Sequence, residues 1–171
     1  MKKLLLLLLW LQLSACSAVL YKMTPERTLN QQQLNQLQPA QVQVKVNLEQ
    51  TAQLNIEKTK LTLQAMHNGT SVEQVFRVKL IKRDKLGSDS GWLSVMPASY
   101  DYYLVLTTDA ISQMNEFIDD YRNKSITDIR FNLEAGFSRV GKQKQACYSS
   151  FIRLHEDDYY NPINQRQILD L

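Results

Sequence analysis

The stretch Gln41-Val42-Gln43-Val44-Lys45-Val46-Asn47-Leu48 decides the fold class. Val42, Val44, Val46 and Leu48 alternate with Gln41, Gln43, Lys45 and Asn47, and a period of two sends successive side chains to opposite sides of an extended chain. One side is apolar and the other is amide-rich and charged, as in a strand that needs cover on one face only. The pattern continues outward from there. Leu54 and Ile56 mark a continuation or a second short strand, and Leu61 to Met66 another. Asn68-Gly69 supplies a tight turn, because both residues accept positive φ. A longer strand follows from Val72 to Arg83, with Phe76, Val78 and Leu80 expected inward, Arg77 and Lys79 outward, and Ile81 out of step. Asp84 to Gly91 has the composition of a loop. Trp92 to Met96 reads as a return strand ended by Pro97, and Tyr100 to Leu106 as an aromatic strand.

After these strands the period changes. Ile111, Met114, Phe117, Ile118 and Tyr121 fall at helical spacing, with Thr108 or Asp109 as the N-cap, so this helix has an apolar face that must be covered. Ile129, Phe131, Leu133 and Ala135 restore period two through Phe137, and Gln145 to Leu154 reads as the last strand. Several strands, one helix and two strands, with no βαβ rhythm and no internal repeat, predict an α+β, mainly β fold. The expected architecture is an antiparallel sheet or small β-sandwich with one amphipathic helix packed on it. Residues 41–171 form the expected globular domain.

Upstream, residues 17–43 are rich in glutamine and asparagine. Thr24-Pro25-Glu26 has the layout of a helix start, with threonine as N-cap and proline at the first helical position, and Pro39 would end the helix. Leu29, Leu34 and Leu37 form a stripe too thin to bury strongly. Residues 16–40 are therefore read as a partly helical spacer, with a partner-binding helix as the alternative.

The N-terminus carries an address. Met1-Lys2-Lys3 precedes a leucine-rich run of about ten residues, too short for a bilayer span of roughly 20, and then comes Leu13-Ser14-Ala15-Cys16. Two lysines, a short apolar segment and a small-residue site have the layout of a secretory signal peptide, residues 1–15, which is removed. Residues 1–17 resemble the signal and lipobox of bacterial lipoproteins. The resemblance implies lipidation of Cys16 by diacylglycerol, cleavage before it and acylation of the new amine. Two kinds of acyl anchor, at about 0.8 kcal/mol per buried CH₂, hold a protein to a membrane far more firmly than one myristoyl chain does. Ser17 stands where lipoproteins retained in the inner membrane usually carry aspartate. The implied location is thus the outer membrane, facing the periplasm.

Processing changes the charge. The chain has 20 Lys and Arg against 17 Asp and Glu, a net +3; loss of Lys2 and Lys3 leaves a near-neutral body of about 155 residues, suited to one domain. Nucleic-acid binders show strong clustered positive charge, so no nucleic-acid partner is expected. Of the 2 cysteines, lipidation of Cys16 leaves Cys147 alone, either buried in its strand or paired with another chain.

Motifs for chemistry are sparse. His155-Glu156-Asp157-Asp158 alternates faces in an extended segment and reads as a solvated strand end, so no metal site is expected. No Gly-x-Ser-x-Gly elbow or Gly-rich phosphate loop is present, and neither an enzyme nor a cofactor is expected. Two surface features point to partners. Arg77, Lys79, Lys82 and Arg83, with Lys85, concentrate positive charge along one strand, and Tyr100 and Tyr102, with Tyr103, offer amphipathic rings of the kind enriched at interfaces. Each also has a structural reading, as a solubilising strand face or sheet edge and as sheet core. The expected role is a non-enzymatic accessory or adaptor that binds another envelope protein of an assembly, secretion or pilus system. The alternatives are a small-ligand or lipid carrier, and an enzyme or enzyme inhibitor.

Overall fold

The computed structural model describes residues 28–90 and 95–171. The expected signal peptide, Cys16, the helix start at Thr24-Pro25-Glu26 and the Trp92-Leu93-Ser94 part of a strand lie outside the described residues. In chain order the elements are helix α1 (Gln31–Gln36), a 3-10 turn (Pro39–Gln41), strands β1 (Gln43–Glu49), β2 (Ala52–His67), β3 (Thr70–Leu86), β4 (Asp89–Ser90), β5 (Val95–Met96) and β6 (Ser99–Leu106), helix α2 (Thr108–Tyr121), and strands β7 (Ile126–Arg139), β8 (Gln145–Arg153) and β9 (Asn161–Asp170). Seven strands form one antiparallel sheet in the order β7-β2-β3-β6-β1-β8-β9, and β4 pairs with β5. The fold is α+β and mainly β, as the periodicity predicts.

One long strand makes the sheet curl. The first half of β3, to Arg77, pairs with β2, whereas Val78 to Leu86 pairs with β6. β3 thus passes from one half of the sheet to the other, and the sheet wraps into a nearly closed barrel with β7 and β9 flanking its seam. Val44, Val46 and Leu48 of β1, Leu61 and Leu63 of β2, Phe76 of β3 and Leu104 and Leu106 of β6 fill the interior. Each such buried side chain stabilises by about 1.5–3 kcal/mol relative to exposure. Helix α2 adds Ala110, Met114, Phe117 and Ile118. Its cap is Thr107, whose Oγ1 accepts from the Ala110 N–H at 3.3 Å. The Asn68-Gly69 turn has φ 50° and 77°, as a two-residue hairpin turn requires.

The structure departs from the sequence pattern at several places, the α2 cap at Thr107 rather than Thr108 or Asp109 among them. Leu29, Leu34 and Leu37 are buried at 4%, 0% and 6% exposure, so the body begins ahead of residue 41. The amides of this stretch explain why: the Gln31 side chain donates to the Tyr121 carbonyl at 3.0 Å and accepts from the Ile126 N–H at 3.3 Å, tying α1 to the end of α2 and the start of β7. Asn30 and Gln33 close a reciprocal capping box. Leu80 keeps the inward face, opposite Leu104, but is 42% exposed, because β2 no longer flanks β3 beyond Arg77; the bulge between Leu80 and Lys82 interrupts the alternation only after it. β3 continues through Asp84 to Leu86, where a loop is expected, held by its ladder to β6. β9 is a further strand beyond the expected last one, an edge position that tolerates Pro162. Cys147 is half-buried, with its N–H donating to Glu49 Oε2 at 3.0 Å.

Candidate partner-binding surface

The residues singled out for partner binding gather on the β3–β6 hairpin, and the bulge divides them. Lys79 is opposite Val105 and Lys82 opposite Tyr103, whereas Arg83 is opposite Tyr102. Cross-strand partners share a face, so Arg77, Lys79 and Lys82 lie on the barrel's outer face, and Arg83, Tyr100 and Tyr102 lie on the other. The expected single basic stripe is therefore two.

Each stripe is pinned by aromatic rings. The Arg83 guanidinium sits 3.7 Å from the Tyr100 ring centroid and 5.3 Å from that of Tyr102, within cation–π range. Tyr102 itself is 2% exposed and belongs to the core, so it offers no surface to a partner. Lys82 Nζ lies 2.7 Å from Asp84 Oδ2 and 5.5 Å from the Tyr103 ring centroid. The hydrogen bond to Asp84 holds the Lys82 ammonium above its ordinary pKa. Arg77 and Lys79 are exposed.

A second group continues the outer face across β1 and β8, and the sequence reading missed it. Lys45 Nζ lies 4.9 Å from the Phe151 ring centroid, 5.2 Å from that of Tyr160 and 3.9 Å from Asp101 Oδ2. Asn47 donates to Asp101 Oδ1 at 2.7 Å and Ser99 Oγ at 3.1 Å. Gln43 Oε1 accepts from Arg153 Nη2 at 2.8 Å and from the Tyr160 hydroxyl at 2.9 Å. Burial raises the Tyr160 hydroxyl above its ordinary pKa; burial, then the Asp101 and Asp84 carboxylates, do the same to Tyr103. The alternation marks the polar side of β1 but carries no information about which strands lie beside it, so the cluster leaves no signal in sequence.

These groups suit non-covalent recognition. Cations and rings are held at fixed positions, whereas the His67 ring is engaged elsewhere. His67 Nδ1 lies 3.1 Å from the Ser125 carbonyl and its ring packs edge-on against Tyr121. His155 opens a turn in which its carbonyl accepts from the Asp158 N–H. Among the described residues no three His, Cys, Asp or Glu side chains gather to hold a metal.

Two concavities lie beside these strands among the described residues. A cavity of about 130 Å³ opens at the seam between β7 and β9, lined by both polar side chains such as Gln64, Arg130 and Asn132 and apolar ones such as Leu29, Phe131 and Ile163; pockets for drug-sized ligands run to roughly 300–1,000 Å³. The other, about 390 Å³, is an open groove between β3 and α2 that Glu73, Glu116 and Asp120 make acidic. Among the described residues no helix is long and apolar enough to cross a membrane. Comparison of the chain with models of protein families gave no match, and neither did comparison with curated proteins or with solved structures.

Proposed function

We propose that this protein is a lipoprotein anchored through Cys16 to the outer membrane and facing the periplasm, where its β-rich body acts as a non-enzymatic adaptor for another envelope protein. The lipobox-like Leu13-Ser14-Ala15-Cys16 supports the anchor. The observation that carries the adaptor role is the β3–β6 hairpin, which presents ordered cations, exposed apolar side chains and aromatic rings together on one strand pair. Because Leu29 packs in the body, the tether from Cys16 is short. Fully extended at about 3.5 Å per residue it reaches roughly 45 Å, which bounds how far the body can stand from the membrane surface.

The size of the seam cavity argues against a carrier for a whole lipid, whose acyl chains need more room. Metabolic labelling with palmitate tests the anchor. The expected result is incorporation that Cys16→Ala abolishes, with the wild-type chain in outer-membrane fractions. Absence of label, or equal label in the variant, contradicts it. Extraction of the purified protein distinguishes the roles: stoichiometric bound lipid beyond the covalent anchor favours the carrier over the adaptor.

A further inference from the structure

We propose that the free edge of β3, Val78 to Leu86, takes up an extended acidic segment of the partner protein as an added strand, an inference that rests on the adaptor reading above. β2 accompanies β3 only as far as Arg77. Beyond that point no strand among the described residues pairs with β3 on the side away from β6. A row of backbone N–H and C=O groups is left there, and such an edge is a template for an incoming strand.

The side chains along this edge select the occupant. Leu80, Ile81 and Leu86 are 42%, 52% and 41% exposed. Leu80 shares a face with Leu104, and Leu86 shares the opposite face with Ser99. Apolar contacts on both faces suit a strand that lies in the plane of the sheet. A membrane surface would require them on one face.

Charge narrows the choice further. Lys79, Lys82, Arg83 and Lys85 stand against a single acid, Asp84, already paired with Lys82 at 2.7 Å. Two copies of this edge would set like charges opposite one another, which destabilises cross-strand pairing, whereas a glutamate- or aspartate-rich segment complements it. Arg83 stacks on Tyr100 and Lys82 on Tyr103, both rings of β6 on the side away from the edge, so the charge test falls on the exposed Lys79 and Lys85.

The test uses the full chain with its anchor in detergent, a synthetic peptide that alternates glutamate with valine, and amide hydrogen exchange. Exchange across Val78 to Leu86 is expected to slow while β1 is unaffected. Of two peptides N-methylated on opposite sets of alternate residues, one should keep the effect and the other lose it, because an added strand bonds along one side. Lys79→Glu with Lys85→Glu should weaken binding about tenfold, from two reversed edge charges, with an unchanged melting temperature. Equal binding by both methylated peptides, equal binding by a lysine–valine peptide, or slowing only elsewhere overturns the proposal. Slowing that grows with protein concentration without peptide assigns the edge to a second copy, and slowing by phosphatidylglycerol vesicles alone assigns it to the membrane; either result also overturns it. Co-purification with the same double variant separates the edge from the adaptor role. A partner that co-purifies equally with wild type and with the double variant retains the adaptor and removes this edge, whereas wild type without any partner removes the adaptor itself.

Discussion

Gln31 shows how much a single polar side chain carries in this protein. Its one amide accepts the Ile126 N–H and donates to the Tyr121 carbonyl, an end-of-helix group that also accepts from the Lys124 N–H. Nothing in a run of glutamines distinguishes such a residue from solvated spacer, because the partners are about ninety positions away along the chain. The tyrosines give a measurable consequence of residue-scale burial. Tyr148, Tyr160 and Tyr103 are all held above the ordinary tyrosine value, in each case chiefly by burial. A raised folded-state pKa means that the folded chain keeps its protons longer. The contribution of these three tyrosines to stability should therefore be fully present below pH of about 10, the ordinary tyrosine value, and be lost as pH rises from there through the raised values. Absorbance near 295 nm should show these rings ionising late in the folded protein and together with the rest in denaturant; a single transition at the ordinary value in both states would contradict their burial.

Among the elements, the ones legible in sequence are those whose pattern records burial directly. β1 alternates along its length and α2 repeats its apolar face every turn, and both lie where the periodicity places them, with the α2 cap one residue earlier at Thr107. Thr107→Ala should lower the unfolding free energy by about 1 kcal/mol, readable as a shift of the urea midpoint with unchanged slope. β9 was not legible. Its sequence, with Pro162, two asparagines, two glutamines and Arg166 at φ 43°, has no alternation, because an edge strand is held mostly by its ladder to β8. The break in β2 between Asn55 and Lys60 was equally hidden, although Gly136 marks its other side. A methyl group at Gly136 would run into the Lys58 side chain, and the Gly136 N–H donates to Thr59 Oγ1 at 3.3 Å. Gly136→Ala should destabilise by about 1–3 kcal/mol, the range for overpacking; a neutral effect on the urea midpoint would mean that β2 and β7 are less close there.

For the whole molecule, the sequence yields the class of fold, while the wrapping of the sheet comes from a partner exchange within β3 that alternation does not encode. Leu34 tests where that whole begins. It has no exposed surface, and Leu34→Ala should cost about 2–5 kcal/mol, as for other fully buried leucines; a loss below about 0.5 kcal/mol, the range of ordinary surface changes, would return α1 to the spacer. The candidate surface was legible in part. Arg77, Lys79, Lys82, Arg83 and Tyr100 do lie together on the β3–β6 hairpin, but Tyr102 faces the core and Lys45 gathers its own aromatic cluster, since cross-strand neighbours are fixed only by register. The central claim is that the anchored body holds another envelope protein. Affinity purification of the full chain from solubilised membranes, with mass spectrometry and a control in which Cys16 and the tether carry an unrelated domain, tests it most directly. The account predicts one envelope protein enriched in near-equal amount with the native body and absent from the control; equal recovery from both, or no envelope protein with the native body, would contradict it.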